Sequence, residues 1–297
     1  MDSRPDVSNV QSPILKLIED LRSDSLDVKR IATAELRILA QSAEDRTVIA
    51  ECGAIDLLVD LIHSTDSKTQ ENAVTALLNL SISEKNKIAI ANANAIHPLI
   101  NVLRTGNSEA KENSAATLYS LAVIEENRVQ IGESGAIRPL VELLVNGTPQ
   151  GKKDAVTALY NLSKCHKNKA RIVQAGAVKH LVELIDHAAA GMVDKAVTIL
   201  ANLATIEEGR TAIGQAGGVC VIVEVVELGS PRGKENAASA LLQLCTNSVK
   251  LCNIVIQEGV VPPLVALSQH GTPRAKDKAR SLLSHIRSQR NGHARNR

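Results

Sequence analysis

The chain has 297 residues, of which 44% are hydrophobic and 22% charged, with a formal net charge of +2. That is enough apolar material for a continuous core, and it is neither a disordered nor a nucleic-acid-binding balance. There is no Trp and no Phe, and the only tyrosines are Tyr119 and Tyr160, which argues against single-strand nucleic-acid binding by base stacking on aromatic rings.

In chain order, Met1 to Gln11 is polar, without the apolar stretch of a leader, and is expected to be disordered. A short phrase then recurs: Gly53-Ala54-Ile55, Asn94-Ala95-Ile96, Gly135-Ala136-Ile137, Gly176-Ala177-Val178, Gly217-Gly218-Val219 and Gly259-Val260-Val261. The steps are 41, 41, 41, 41 and 42, and one step back from Gly53 lies Ser12-Pro13-Ile14, a degenerate first copy. Each phrase leads into an apolar run such as Leu57 to Ile62, and a second run follows, such as Ala73 to Leu80. A shorter segment precedes the phrase, opened by Asn86-Lys87, Asn127-Arg128, Asn168-Lys169 and Gly209-Arg210.

The spacing within the runs is i, i+3, i+4, i+7, as in Ala73, Ala76, Leu77 and Leu80, which predicts helices; no alternation of period two argues for strands. Loop residues sit between the runs, at Gly106-Asn107-Ser108, Gly147-Thr148-Pro149, Gly229-Ser230-Pro231 and Gly271-Thr272-Pro273. The recurring Gly supplies a positive φ between the first two helices, and Asn94 is the non-glycine that tolerates it best. A module of this size cannot bury its apolar face alone, whereas stacked modules bury a continuous one. The expectation is an all-α, right-handed superhelical solenoid of the armadillo type, with about seven repeats of 41–42 residues over 12–288 and a basic, disordered tail at 289–297. The close alternative is a two-helix HEAT array.

Thr69 to Ser81 (TQENAVTALLNLS), Glu109 to Leu118 (EAKENSAATL), Gly147 to Ala155 (GTPQGKKDA), Gly191 to Ala196 (GMVDKA) and Gly229 to Ala237 (GSPRGKENA) closely resemble the armadillo region of plant U-box ubiquitin ligases. The resemblance runs in order from about Ile14 to about Arg287. It implies an upstream U-box that recruits the ubiquitin-charged E2, and an armadillo array that binds substrates or receptor kinases. Nothing in this chain resembles the U-box phrases, so ligase activity is not expected of it by itself. The alternatives are a stand-alone armadillo adaptor and a nuclear transport adaptor.

No catalytic centre, cofactor or metal site is expected. The eight histidines share no repeat register. Cys165 and His166 are adjacent, so on a helix they do not face each other. No P-loop, GxGxxG or HExxH occurs. The five cysteines (Cys52, Cys165, Cys220, Cys245, Cys252) form no CxxC pair, which suits reduced thiols in the cytoplasm or nucleus. No apolar run is long enough to span a membrane.

The candidate partner-binding residues fall in two registers. Asn79, Ser120, Asn161, Asn202 and Gln243 occupy the register that lines the concave groove in armadillo proteins, where an amide can donate to and accept from the backbone of a bound peptide. The competing reading is a side chain that caps its own repeat. Four residues earlier, the register that carries Trp in importin-type proteins holds Ala34, Thr75, Ala116, Thr157, Thr198, Ser239 and Ser281, which argues against cargo recognition of that kind. Lys29, Lys111, Lys152, Lys234 and Lys276 form a basic register that favours an acidic or phosphorylated partner, unless Glu71, Glu112, Asp194, Glu235 and Asp277 neutralise it locally. Arg46, Lys87, Arg128, Lys169 and Arg210 read as local ion-pair formers. Tyr119 and Tyr160, 41 apart, read as core between repeats or, if exposed, as anchors for a partner. The expected partner is a protein segment; nucleic acid is not expected, and the chain reads as a monomer.

Overall fold

The computed structural model describes residues 7–187 and 190–295, and every regular element among them is a helix. The chain divides into two compact units, Met1–Asn161 and Leu162–Arg297.

The first unit opens with α1 (Val7–Leu21) and α2 (Leu26–Leu39), followed by three triplets. These are α3 (Ala43–Glu51), α4 (Ala54–Leu61) and α5 (Ser67–Leu80); α6 (Glu84–Asn92), α7 (Ile96–Thr105) and α8 (Ser108–Leu121); and α9 (Glu125–Glu133), α10 (Ile137–Asn146) and α11 (Pro149–Ser163). The second unit holds α12 (His166–Gln174), α13 (Ala177–His187) and α14 (Ala190–Leu203); α15 (Glu207–Gln215), α16 (Gly218–Leu228) and α17 (Pro231–Asn247); and α18 (Val249–Gln257), α19 (Val261–His270) and α20 (Pro273–Arg295). Two helices and six triplets make the seven expected modules, the first without its short helix.

The corner between the short and second helices bends at the predicted residues. Gly135 has φ 87° and Asn94 has φ 60°, the one positive-φ residue other than glycine among the described residues. A Cβ at Gly135 would meet nothing within 4 Å, so the glycine is demanded by the backbone rather than by crowding. Ser12 stands at the equivalent place in the first module, yet α1 runs straight through it. The expected boundary at residue 12 is therefore corrected to Val7: the helical apolar spacing already begins there, with Val7, Val10, Ile14, Leu17 and Leu21. At the other end α20 extends to Arg295, through Gly292.

The core is aliphatic, as the composition requires. Leu36, Leu77, Leu118 and Leu159 share one register of successive third helices and are at most 1% exposed. Each such Leu contributes about 2 kcal/mol by leaving water. Third helices pack on third helices, α2 on α5 and α5 on α8 in the first unit, and α14 on α17 and α17 on α20 in the second.

Candidate partner-binding face

The polar residues of the third helices form three rungs that tie each module to the next. The first rung is at the helix start. The N-cap residue of a third helix accepts from its own first turn and is gripped by a charged side chain of the preceding third helix. Arg30 donates to Asp66 at 2.8 and 3.1 Å, Asn107 donates to Glu71 at 3.0 Å, and Thr148 donates to Glu112. In the second unit Ser230 donates to Asp194 at 2.7 Å and Thr272 to Glu235 at 2.9 Å. The Arg30 guanidinium, with the Thr69 hydroxyl and N–H, holds Asp66 well below the usual carboxylate range. Burial pushes Glu71 upward, but the bonds from Lys68 and Asn107 outweigh it and leave its pKa lowered. Local neutralisation by an adjacent lysine was the expectation for these acids; Glu112 and Glu235 instead serve the next module's cap.

The second rung lies one turn on. Asn113 donates to Thr75 Oγ1 at 2.8 Å, and Asn236 to Thr198 Oγ1 at 2.7 Å.

The third rung is the predicted amide register. Asn79 Nδ2 donates to the Arg37 carbonyl at 3.0 Å and Asn161 Nδ2 to the Tyr119 carbonyl at 3.0 Å. Ser120 donates to the Ser81 carbonyl at 3.0 Å, and Asn202 to Ser163 Oγ at 3.0 Å. Gln243 sits half-buried at the same register of α17. These side chains reach back to the module before, and Asn79, Ser120 and Asn161 end on carbonyls at the end of a helix, which lack an intrahelical donor.

The lysine register is half-buried throughout, at Lys29, Lys111, Lys152, Lys234 and Lys276. Lys234 Nζ donates to the Glu227 carbonyl at 2.7 Å, and Gln70, in the same register, donates to the Ile62 carbonyl at 2.8 Å. These side chains lean on the last turn of the second helix, where the helix dipole favours a cation. Lys234 also borders a cavity of about 820 Å³ with Val226, Pro262, Pro263, Ala266 and His270.

The arginine register departs from the expected ion pairing. Arg46 donates to the Ala40 carbonyl at 2.9 Å, Arg128 to the Ala122 carbonyl at 2.9 Å and Arg210 to the Ala204 carbonyl at 3.2 Å. Each caps the third helix before it. Lys87 does pair with Glu84. Asn86, Asn127 and Asn168 add a buried amide to the Leu80, Leu121 and Leu162 carbonyls, at 3.2, 3.1 and 3.3 Å. These caps escaped sequence analysis, although the 41-residue recurrence of the Asn-Lys/Arg pair was their signal.

Tyr119 and Tyr160 are half-buried rather than core. Burial, with Asp154 nearby, raises the Tyr119 phenol. At the C-terminal ends of α2, α5 and α8, Ile38, Ile82 and Val123 are 63%, 58% and 50% exposed. Cys165 is the N-cap of α12 and His166 opens it. Among the described residues, no three His, Cys, Asp or Glu side chains converge on a metal-sized site, and no helix is long and apolar enough to cross a membrane.

The model of the plant U-box protein ARM repeat region matches residues 13–293. The chain belongs to that family. Similar relatives include U-box domain-containing protein 4 of Arabidopsis thaliana, 67% identical over 79 residues, which are 26% of this chain and 10% of that protein. The E3 ubiquitin-protein ligase SPL11 of Oryza sativa subsp. japonica is 49% identical over 73 residues, 24% of this chain and 10% of that protein. The matched stretches thus span about a tenth of these relatives' own length. Among solved structures, an engineered protein superposes with TM-score 0.82 and 28% identity over 92% of this ARM region and 68% of its own chain. A designed armadillo repeat protein in complex with the peptide (KR)4 superposes with TM-score 0.69 and 22% identity, over 78% of this chain and 99% of its own. The fold is an all-α armadillo-repeat solenoid.

Proposed function

We propose that this ARM region holds a segment of a partner protein on its third helices, and that within a U-box ligase it selects what is ubiquitylated. The observation that carries the reading is the row of solvent-facing apolar and tyrosine side chains along the third helices of the first unit, in a family whose relatives are named as U-box proteins and an E3 ligase. The peptide complex of a designed armadillo protein supports the same use of the fold. Cytoplasm or nucleus is the proposed compartment, from five thiols without a disulfide framework. The chain's role in ubiquitylation would be positional: it binds, and chemistry occurs on a U-box-bound E2.

The test has two parts. Partners found on a plant protein array are cross-linked to the chain, and the links should cluster on α5, α8, α11, α14 and α17. Links confined to first and second helices would refute the reading. The chain fused to the U-box of a relative, supplied with E1, E2 and ubiquitin, should then modify a bound partner and spare unbound proteins; indiscriminate modification would refute selection.

A further inference from the structure

Resting on that reading, we propose that the partner's seat is the strip Ile38, Leu78, Ile82, Tyr119, Val123 and Tyr160, and that the partner is an extended segment alternating apolar side chains with lysine or arginine. The strip is contiguous because the third rung makes it so. The Asn79 bond to the Arg37 carbonyl brings Leu78 beside Ile38. The Ser120 bond to the Ser81 carbonyl sets Ile82 against the end of α8. The Asn161 bond to the Tyr119 carbonyl sets Tyr160 beside Tyr119.

The repeat does not need apolar residues at the register of Ile82 and Val123. In the second unit that register carries Lys164, Thr205, Thr246 and Ser288, while the register of Tyr119 and Tyr160 carries Ala201, Leu242 and Ser284. The third helices of that unit pack without the strip. Single exposed apolar residues need no explanation, but a row of them across consecutive modules marks a contact surface.

The charge beside the strip decides the occupant. Three corners of the strip run into a short helix opening with exposed acids: Glu84 after Ile82, Glu125 and Glu126 after Val123, and Glu44 after Ile38. The corner after Tyr160 opens instead with His166 and Lys167. Of the cations at these three corners, Lys85 is exposed and pairs with Glu51 at 3.1 Å, and the others are turned inward. Arg46 and Arg128 cap helix carbonyls, and Lys87 is 7% exposed beneath Glu84. From Ile38 to Val123 the surface offered to solvent is therefore an apolar row with an acidic border, which complements basic groups and repels acidic ones. Packed helices lie about 8–10 Å apart and an extended chain advances about 3.3 Å per residue, so apolar anchors every two or three residues match the modules, and roughly nine residues cover the strip.

The experiment uses the full chain and synthetic nonapeptide libraries with Leu, Ile or Val at every second or third position and Lys or Arg between. Fluorescence anisotropy should show binding that weakens at least tenfold when the apolar positions become Ser, when the basic ones become Glu, or when the chain carries Ile82→Ser with Val123→Ser. Both sites are largely exposed, so the variant should melt like the wild type. Equal affinity for all libraries, no binding to any, or affinity unchanged in the double variant overturns the proposal. So does a concentration-dependent dimer that the double variant abolishes, because the occupant is then a second copy. If cross-linked partners map to α14 and α17 instead, the strip is refuted while the partner-holding reading stands.

Discussion

Asn161→Ala separates a clamp for a peptide from a tie between modules. Asn161 is 7% exposed and its amide donates to the Tyr119 carbonyl at 3.0 Å. That carbonyl lies in the last turn of α8, where no later amide of the helix reaches it. Losing a neutral hydrogen bond costs about 1 kcal/mol, and stranding a half-buried carbonyl adds to it, so the expected loss is about 1.5–2 kcal/mol. The equivalent bond at Asn79 is more exposed, and Asn79→Ala should cost nearer 1 kcal/mol. In a linear array the loss falls on the coupling between neighbouring modules. Thermal melting should drop by roughly 2–4 °C, and amide hydrogen exchange should quicken at the C-terminal turn of α8 before it does in α17. An unchanged melting curve, together with lost partner binding, would refute the tie and restore the peptide clamp.

The Arg30–Asp66 link makes stability pH-dependent. Asp66 has a native pKa held below its unfolded value of about 3.9, so its contribution is complete at neutral pH and fades as pH falls below about 4. Urea titrations of wild type and Asp66→Asn should differ equally at pH 7 and pH 5, and the gap should begin to narrow only below about pH 4; a gap that widens on acidification would contradict this. Two glycines should answer oppositely to alanine. A Cβ at Gly209 would lie 2.0 Å from the Leu203 carbonyl oxygen, so Gly209→Ala should cost about 2 kcal/mol or more, whereas Gly191 is helical, exposed and open, and Gly191→Ala should gain about 0.5–1 kcal/mol. Urea midpoints that move the same way in both would show that the crowding at Gly209 is not what fixes its identity.

The helices and their corners were legible because they depend on neighbours in sequence. The left-handed corner needs only Gly135 or Asn94 at the right place, and the apolar faces need only a local period. The polar registers were visible as recurrences, but their partners were not. Glu112 follows Lys111 in the chain, yet its bond goes to Thr148, 36 residues on. Arg128 stands after Glu126, yet it turns back to the Ala122 carbonyl. A recurring side chain states that a task is repeated, without stating on which side of the helix the task lies. The helical start at Val7 was hidden for a different reason: Met1 to Gln11 is polar overall, which masks the apolar spacing that begins at Val7.

Apart from the Arg37–Glu109 pair, which reaches two modules on, the ties between third helices in the first unit span one step, and several end on a backbone carbonyl. A carbonyl is offered by any residue at that register, so the donor does not depend on which module precedes it. Removing one whole step, for instance residues 84–124, would bring Asn161 to the carbonyl of Leu78 and Thr148 to the carboxylate of Glu71, chemically equivalent acceptors. The joints are interchangeable, so such an array can be shortened or lengthened by whole units and keep its seams, while the side chains beside them remain free to diverge toward new ligands.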